Sequence, residues 1–116
     1  MVGRDSRTRR DFPRFIVAGY VIVDLEILDP SGFEQYRERV IGMVKKYGGK
    51  YIAASEAVET LEGDWKPKRI VMIEFESMQR ARAWFDSEEY QQIGSIRHRT
   101  AKTNMILVEG VRLKKH

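Results

Sequence analysis

The 116-residue sequence predicts an α+β domain in which four strands and two amphipathic helices follow one another as β-α-β-β-α-β. Three observations carry that prediction. Gly19–Leu28 and Arg69–Phe75 alternate with a period of two, the pattern of strands with one face against a core. Between them Phe33, Tyr36, Val40, Met43, Val44 and Tyr47 recur at helical spacing. Helix signals bracket that run, with Asp29-Pro30 in front and Gly48-Gly49 behind.

In the first strand Val21, Val23, Leu25 and Ile27 point one way, and Tyr20, Ile22, Asp24 and Glu26 the other. The helix after Asp29 is expected to run for about 17 residues. Lys50–Ser55 reads as a short strand, with an extension near Val58–Leu61. Glu62-Gly63-Asp64-Trp65-Lys66-Pro67 is a turn by its Gly and Pro content. Arg69–Phe75 then sets Val71, Ile73 and Phe75 against Ile70, Met72 and Glu74. Ser77 can cap a second helix with Ala81, Trp84 and Phe85 as its apolar stripe. Ser87, followed by Glu88 and Glu89, reads as a further cap with acids placed well against the helix dipole. It opens a short helix carrying Tyr90, Ile93 and Arg97 on one side. Thr103–Glu109 is the last strand.

This order is the split βαβ, or ferredoxin-like, arrangement: two helices on one face of a four-stranded antiparallel sheet. Val21, Val23, Leu25, Ile27, Val71, Ile73 and Phe75 would face the helices. The opposite face inherits Tyr20, Ile22, Ile70 and Met72 with alternate apolar residues of Met105–Val108, too apolar for a face that meets only water. A second copy of the chain is the expected cover, giving a homodimer through the open sheet face. Asp24, Glu26 and Glu74 fall on that face as a polar rim or a cavity lining.

Composition narrows the functional classes. There is no cysteine, which removes disulfides, thiolate metal sites and cysteine nucleophiles and fits a cytoplasmic protein. The net charge is +4, but residues 1–14 and 111–116 each contribute +3, which leaves −2 for the body. The chain therefore divides into a basic, flexible extension (1–17), a ferredoxin-like domain (18–110) and a basic tail (111–116). A nucleic-acid binder carries its basic charge on the folded face, so that partner is not expected. Thr8-Arg9-Arg10-Asp11-Phe12 is similar to a twin-arginine export signal, but Pro13 and Arg14 interrupt the apolar stretch such a signal needs. No segment reaches the roughly 20 apolar residues of a membrane span.

The run Gly48-Gly49 and Glu62-Gly63-Asp64-Trp65-Lys66-Pro67-Lys68-Arg69 resembles the signature of the domain-of-unknown-function 1330 family. So do Ile73-Glu74-Phe75-Glu76-Ser77, Ala81, Trp84, Ser87, Glu89-Tyr90 and Arg97. The resemblance covers about Ala18 to Gly110. It implies the dimeric α/β-barrel superfamily, in which two ferredoxin-like subunits pack sheet against sheet. That superfamily includes cofactor-free monooxygenases, isomerases, haem-binding proteins and small ligand sensors, so the resemblance supplies a fold and not a reaction.

Six residues are candidates for a ligand site: Tyr36, Glu62, Trp65, Trp84, Tyr90 and Arg97. An arginine fork against a small organic anion, stacked by Trp and Tyr, is the chemistry they offer. Each also has a structural reading. Trp84, at helical spacing with Ala81, reads as core; Tyr90 can bond a backbone carbonyl; Glu62 and Arg97 can form an ion pair. His98, flanked by Arg97 and Arg99, is the candidate for acid–base work and the one axial ligand a haem would find, and it also reads as a surface histidine. No metal-ligand spacing, nucleophilic serine motif or phosphate-binding glycine loop appears, and no cofactor is expected. Two readings stay open. One is a dimeric small-molecule-binding protein or cofactor-free enzyme acting on a small organic anion; the other is a non-catalytic stress or protein-interaction module.

Overall fold

A computed structural model describes residues 15–111 and 113–114. The basic run through Arg14, with its Thr8–Phe12 motif, and Arg112, Lys115 and His116 lie outside the described residues. The elements are β1 (Phe15–Ile16), β2 (Gly19–Ile27), α1 (Pro30–Lys46), β3 (Lys50–Ser55), β4 (Ile70–Phe75), α2 (Met78–Asp86), α3 (Glu88–Thr100), β5 (Ala101–Glu109) and β6 (Leu113–Lys114).

The alternation in β2 sets the sheet. Val21, Val23 and Leu25 are buried on one face, while Tyr20, Ile22, Asp24 and Glu26 are half-buried on the other. Buried aliphatic side chains of this kind contribute about 1.5–3 kcal/mol each. The strand with the most regular pattern lies inside the sheet, whose order is β3-β4-β2-β5 with every pairing antiparallel. Val21 stands opposite Ile73 and Leu107, and Ile22 opposite Met72 and Ile106, so like faces meet in register. A separate pairing joins β1 to β6, and the Gly110 amide donates to the Ala18 carbonyl at 2.8 Å beside it.

Local chemistry places the helices. The Asp29 carboxylate accepts from the Gly32 amide at 3.2 Å, and Pro30 supplies the first helical residue without an amide to satisfy. At the other end Gly48 adopts φ +81, its amide reaches the Lys45 carbonyl and the Gly49 amide reaches Val44, both at 2.9 Å. That is a Schellman closure, and only glycine takes the left-handed step without strain.

Three helices form where the β-α-β-β-α-β scheme has two. Ser87 leaves helical geometry at φ −62, ψ 144. Its hydroxyl donates to the Trp84 carbonyl at 2.8 Å and accepts from the Tyr90 amide at 3.2 Å, ending α2 and starting α3 in one residue. The segment behind Ser87 is also longer than expected, at 13 residues, because its buried stripe Tyr90, Ile93, Arg97, Thr100 continues to the start of β5. The strand extension near Val58–Leu61 does not form. Pairing with β4 stops at Ser55 opposite Ile70, and Ala57 and Val58 turn the chain through bonds to the Ser55 hydroxyl and the Glu56 carbonyl.

On the face away from the helices, the paired positions form rows. Ala53, Met72, Ile22 and Ile106 make an apolar stripe. Lys50, Glu74, Tyr20 and Val108 lie on one side of it, with the Tyr20 hydroxyl donating to Glu74 at 2.9 Å. Asp24 with Asn104 and Glu26 with Lys102 lie on the other. Ile106 is 59 % exposed in the single chain.

Candidate functional site

The helical spacing of Phe33, Tyr36 and Val40 brings these side chains onto the sheet, where they meet residues of α2 and α3. An aromatic chain results. Phe33 and Tyr36 have ring centroids 5.3 Å apart, Tyr36 and Tyr90 6.3 Å, Tyr90 and Trp84 4.3 Å, and Trp84 and Phe75 5.5 Å. The Tyr36 and Tyr90 hydroxyls are hydrogen-bonded at 2.8 Å. Burial first, and the neighbouring Tyr90 second, raise the Tyr36 phenol far above the ordinary tyrosine range, so it stays protonated.

Beside this chain lies a cavity of about 240 Å³ between the helices and the sheet. Val23, Leu25, Ile73 and Met105 form its sheet side; Tyr36, Trp84 and Arg97 line it from the helices. Exposed Ile41 and Tyr51 line it between α1 and β3, and Arg37 and Arg69 also belong to the lining. No aspartate or glutamate borders it.

Arg97 is the unusual member. It is 6 % exposed, with no carboxylate within salt-bridge distance among the described residues. Its guanidinium lies 5.9 Å from the Tyr36 ring centroid, a cation–π contact, and one Nη2 proton reaches His98 Nε2 at 3.3 Å. Among the described residues its Nε has no acceptor, nor has Nε1 of Trp84, which is 1 % exposed. Two buried N–H donors without acceptors thus belong to residues lining one cavity. Buried donors in a folded chain are nearly always paired, and leaving one unpaired costs about 1–3 kcal/mol.

The six sequence candidates separate into two groups. Tyr36, Trp84 and Arg97 line the cavity, with Tyr90 behind them on the Tyr36 hydroxyl. Trp65 and Glu62 stand elsewhere, in the exposed loop between β3 and β4. Trp65 Nε1 donates to Asp24 Oδ2 at 2.9 Å, which places it toward the opposite face of the sheet, and Glu62 forms no ion pair with Arg97. Tyr90 bonds a hydroxyl and not a backbone carbonyl. His98 is exposed and does not line the cavity; since a guanidinium only donates, its Nε2 is the acceptor.

Arg37, Tyr51 and Arg69 were not among the sequence candidates. Arg37 and Ile41 are one helical turn apart, and Arg69 extends the alternation of Val71 and Ile73 by one step, so both carried a readable signal. Tyr51 did not. A bulge between Tyr51 and Ala53 sets Tyr51 opposite Ile73 and Ala54 opposite Val71, on one face despite odd spacing. Among the described residues no group of three or more His, Cys, Asp or Glu could hold a metal ion, and no helix is long and apolar enough to cross a membrane.

Residues 18–111 match the family model described as a domain of unknown function (DUF1330). No curated protein matches the sequence. Solved structures share the fold. A protein of unknown function from Rhodopseudomonas palustris superposes with a TM-score of 0.66 at 12% identity, over 81% of this chain and 82% of that one. SnoaB, a cofactor-independent oxygenase from Streptomyces nogalater, gives 0.59 at 11% over 85% and 96%. A proposed antibiotic biosynthesis monooxygenase from Caulobacter crescentus gives 0.56 at 14% over 84% and 92%.

Proposed function

This chain belongs to the DUF1330 family, and on that premise we propose that it is a dimeric small-molecule protein whose helix–sheet cavity holds a small organic anion on Arg97. The observation that carries this reading is a buried guanidinium without a carboxylate partner among the described residues, facing an apolar cavity whose lining carries no carboxylate. A buried charge left unpaired opposes folding, so a residue kept there is explained by what it binds. The aromatic lining supplies the flat apolar surface for the ligand body, and Arg69, with Arg37 paired to Glu34, adds positive charge to the same lining. Catalysis without a cofactor, as in SnoaB, is the enzymatic form of this reading, and retention of a ligand is its simpler form.

The second copy covers the outer sheet face. Its apolar stripe is flanked by both signs of charge, Asp24, Glu26 and Glu74 with Lys50 and Lys102, so a two-fold partner can match acid to base around it.

Calorimetric titration with benzoate, benzamide and benzylamine tests the anion site. Benzoate should bind, the amine should not, and Arg97→Met should weaken benzoate by about 10-fold or more, the worth of a charged hydrogen bond. Arg97→Met should melt no lower than the parent chain, which separates a binding role from a structural one. Equal affinity for all three compounds, or benzoate binding indifferent to Arg97, would refute the reading.

A further inference from the structure

We propose that the cavity ionises its ligand: it takes a weak organic acid, a phenol or an enol on a flat apolar body, and holds the conjugate base. This rests on the reading of the cavity as an anion site and names the chemistry of that anion.

Two independent features of the lining lead there. The first is the pair of buried donors. Arg97 Nε and Trp84 Nε1 both lack acceptors, and both side chains line the cavity, whereas the third such atom, Thr103 Oγ1, belongs to a residue outside the lining. Fixed N–H donors in a water-poor site favour an oxygen that carries charge over one that does not, because the charge-assisted bond is roughly twice as strong. Arg97 gives one Nη2 proton to His98, while its Nε proton is left for a ligand. Each of these single N–H donors, on two residues of the lining, can serve one charged oxygen.

The second feature is the absence of any proton acceptor. The lining contains no Asp, Glu, His, Lys or Cys. Its phenols, Tyr36 and Tyr51, are both raised above the ordinary range, chiefly by burial, and remain protonated. The charged and titratable groups lining the cavity are Tyr36 and Arg37 on α1, Tyr51 on β3, Arg69 ahead of β4, and Arg97 on α3; behind them stand Glu34, 3.6 Å from Arg37 Nε, and Tyr90 and His98. The sheet side, from β2 and β5, adds only Val23, Leu25 and Met105. A neutral acid in the cavity therefore meets three guanidinium groups and no base. Its O–H bond breaks, the electron pair stays on oxygen, and the proton leaves to bulk water past Ile41 and Tyr51. The cavity selects and stabilises the anion without removing the proton itself.

The probe is 4-nitrophenol, whose ionised form alone absorbs visible light. Titrated with the full chain across a pH series, the bound probe should ionise about one unit or more below its free value. Arg97→Met should abolish the shift, and Arg97→Lys should retain part of it, since the field arises from the arginines. Bound probe with an unchanged or raised ionisation point overturns the inference while leaving the anion site standing if benzoate still binds. Failure of both 4-nitrophenol and benzoate to bind overturns the inference and the underlying reading together.

Discussion

On the helix side of the sheet Val21, Val23 and Leu25 are buried under Phe33, Tyr36, Trp84 and Ile93, whereas on the other side the same strand leaves Tyr20, Ile22 and Asp24 half-covered. One strand thus meets two environments. The helix side is closed by the chain itself and yet contains a cavity with a buried arginine. The outer side is filled by the chain only in part, and what it exposes is apolar in the centre and charged at the edges. The inner face holds polar groups that packing does not explain, and the outer face holds apolar groups that water does not explain. The proposed small anion inside and second copy outside would each meet one of these mismatches.

Breaking the inner face should have the larger effect on folding. Trp84 touches Phe75, Phe85 and Tyr90 and is fully buried, so Trp84→Ala should lower stability by about 3–5 kcal/mol in chemical denaturation. A loss under about 1 kcal/mol would mean that the aromatic chain does not organise the core. Breaking the outer face should spare the subunit and separate the pair. Ile106→Glu should weaken self-association by about 2 kcal/mol, roughly 30-fold, with the far-ultraviolet spectrum unchanged. Sedimentation equilibrium reads this directly, and a variant that associates as tightly as the parent would contradict the outer-face assignment.

The contrast between the faces also explains what could be read beforehand. Period-two alternation in β2 and β4 and the caps at Asp29, Ser77 and Ser87 are local signals, and each appears in the fold where the residues place it. The Ser87 cap marks where one helix ends and the next begins, and only the length of the second, read as short, went unseen because its stripe runs on to Thr100. The cavity was legible where its residues ride on those periodic elements, as Tyr36, Trp84 and Arg97 do. It was illegible where a loop or a bulge decides the outcome. The path of Glu62 and Trp65 depends on a turn-rich segment with Leu61 90 % and Trp65 62 % exposed, held by Thr60 on the Trp65 carbonyl and by Asp24. Nothing periodic in that segment tells which side of the sheet it follows.

The central claim is that Arg97 holds an organic anion in the cavity, and non-denaturing mass spectrometry of the protein as purified tests it most directly. If Arg97 holds the anion, the protein should run as a dimer that retains an acidic small molecule, or takes up benzoate on incubation, with the added mass lost in Arg97→Met. A protein that carries no added mass and takes up no benzoate, or an Arg97→Met variant that retains the same mass, would contradict it.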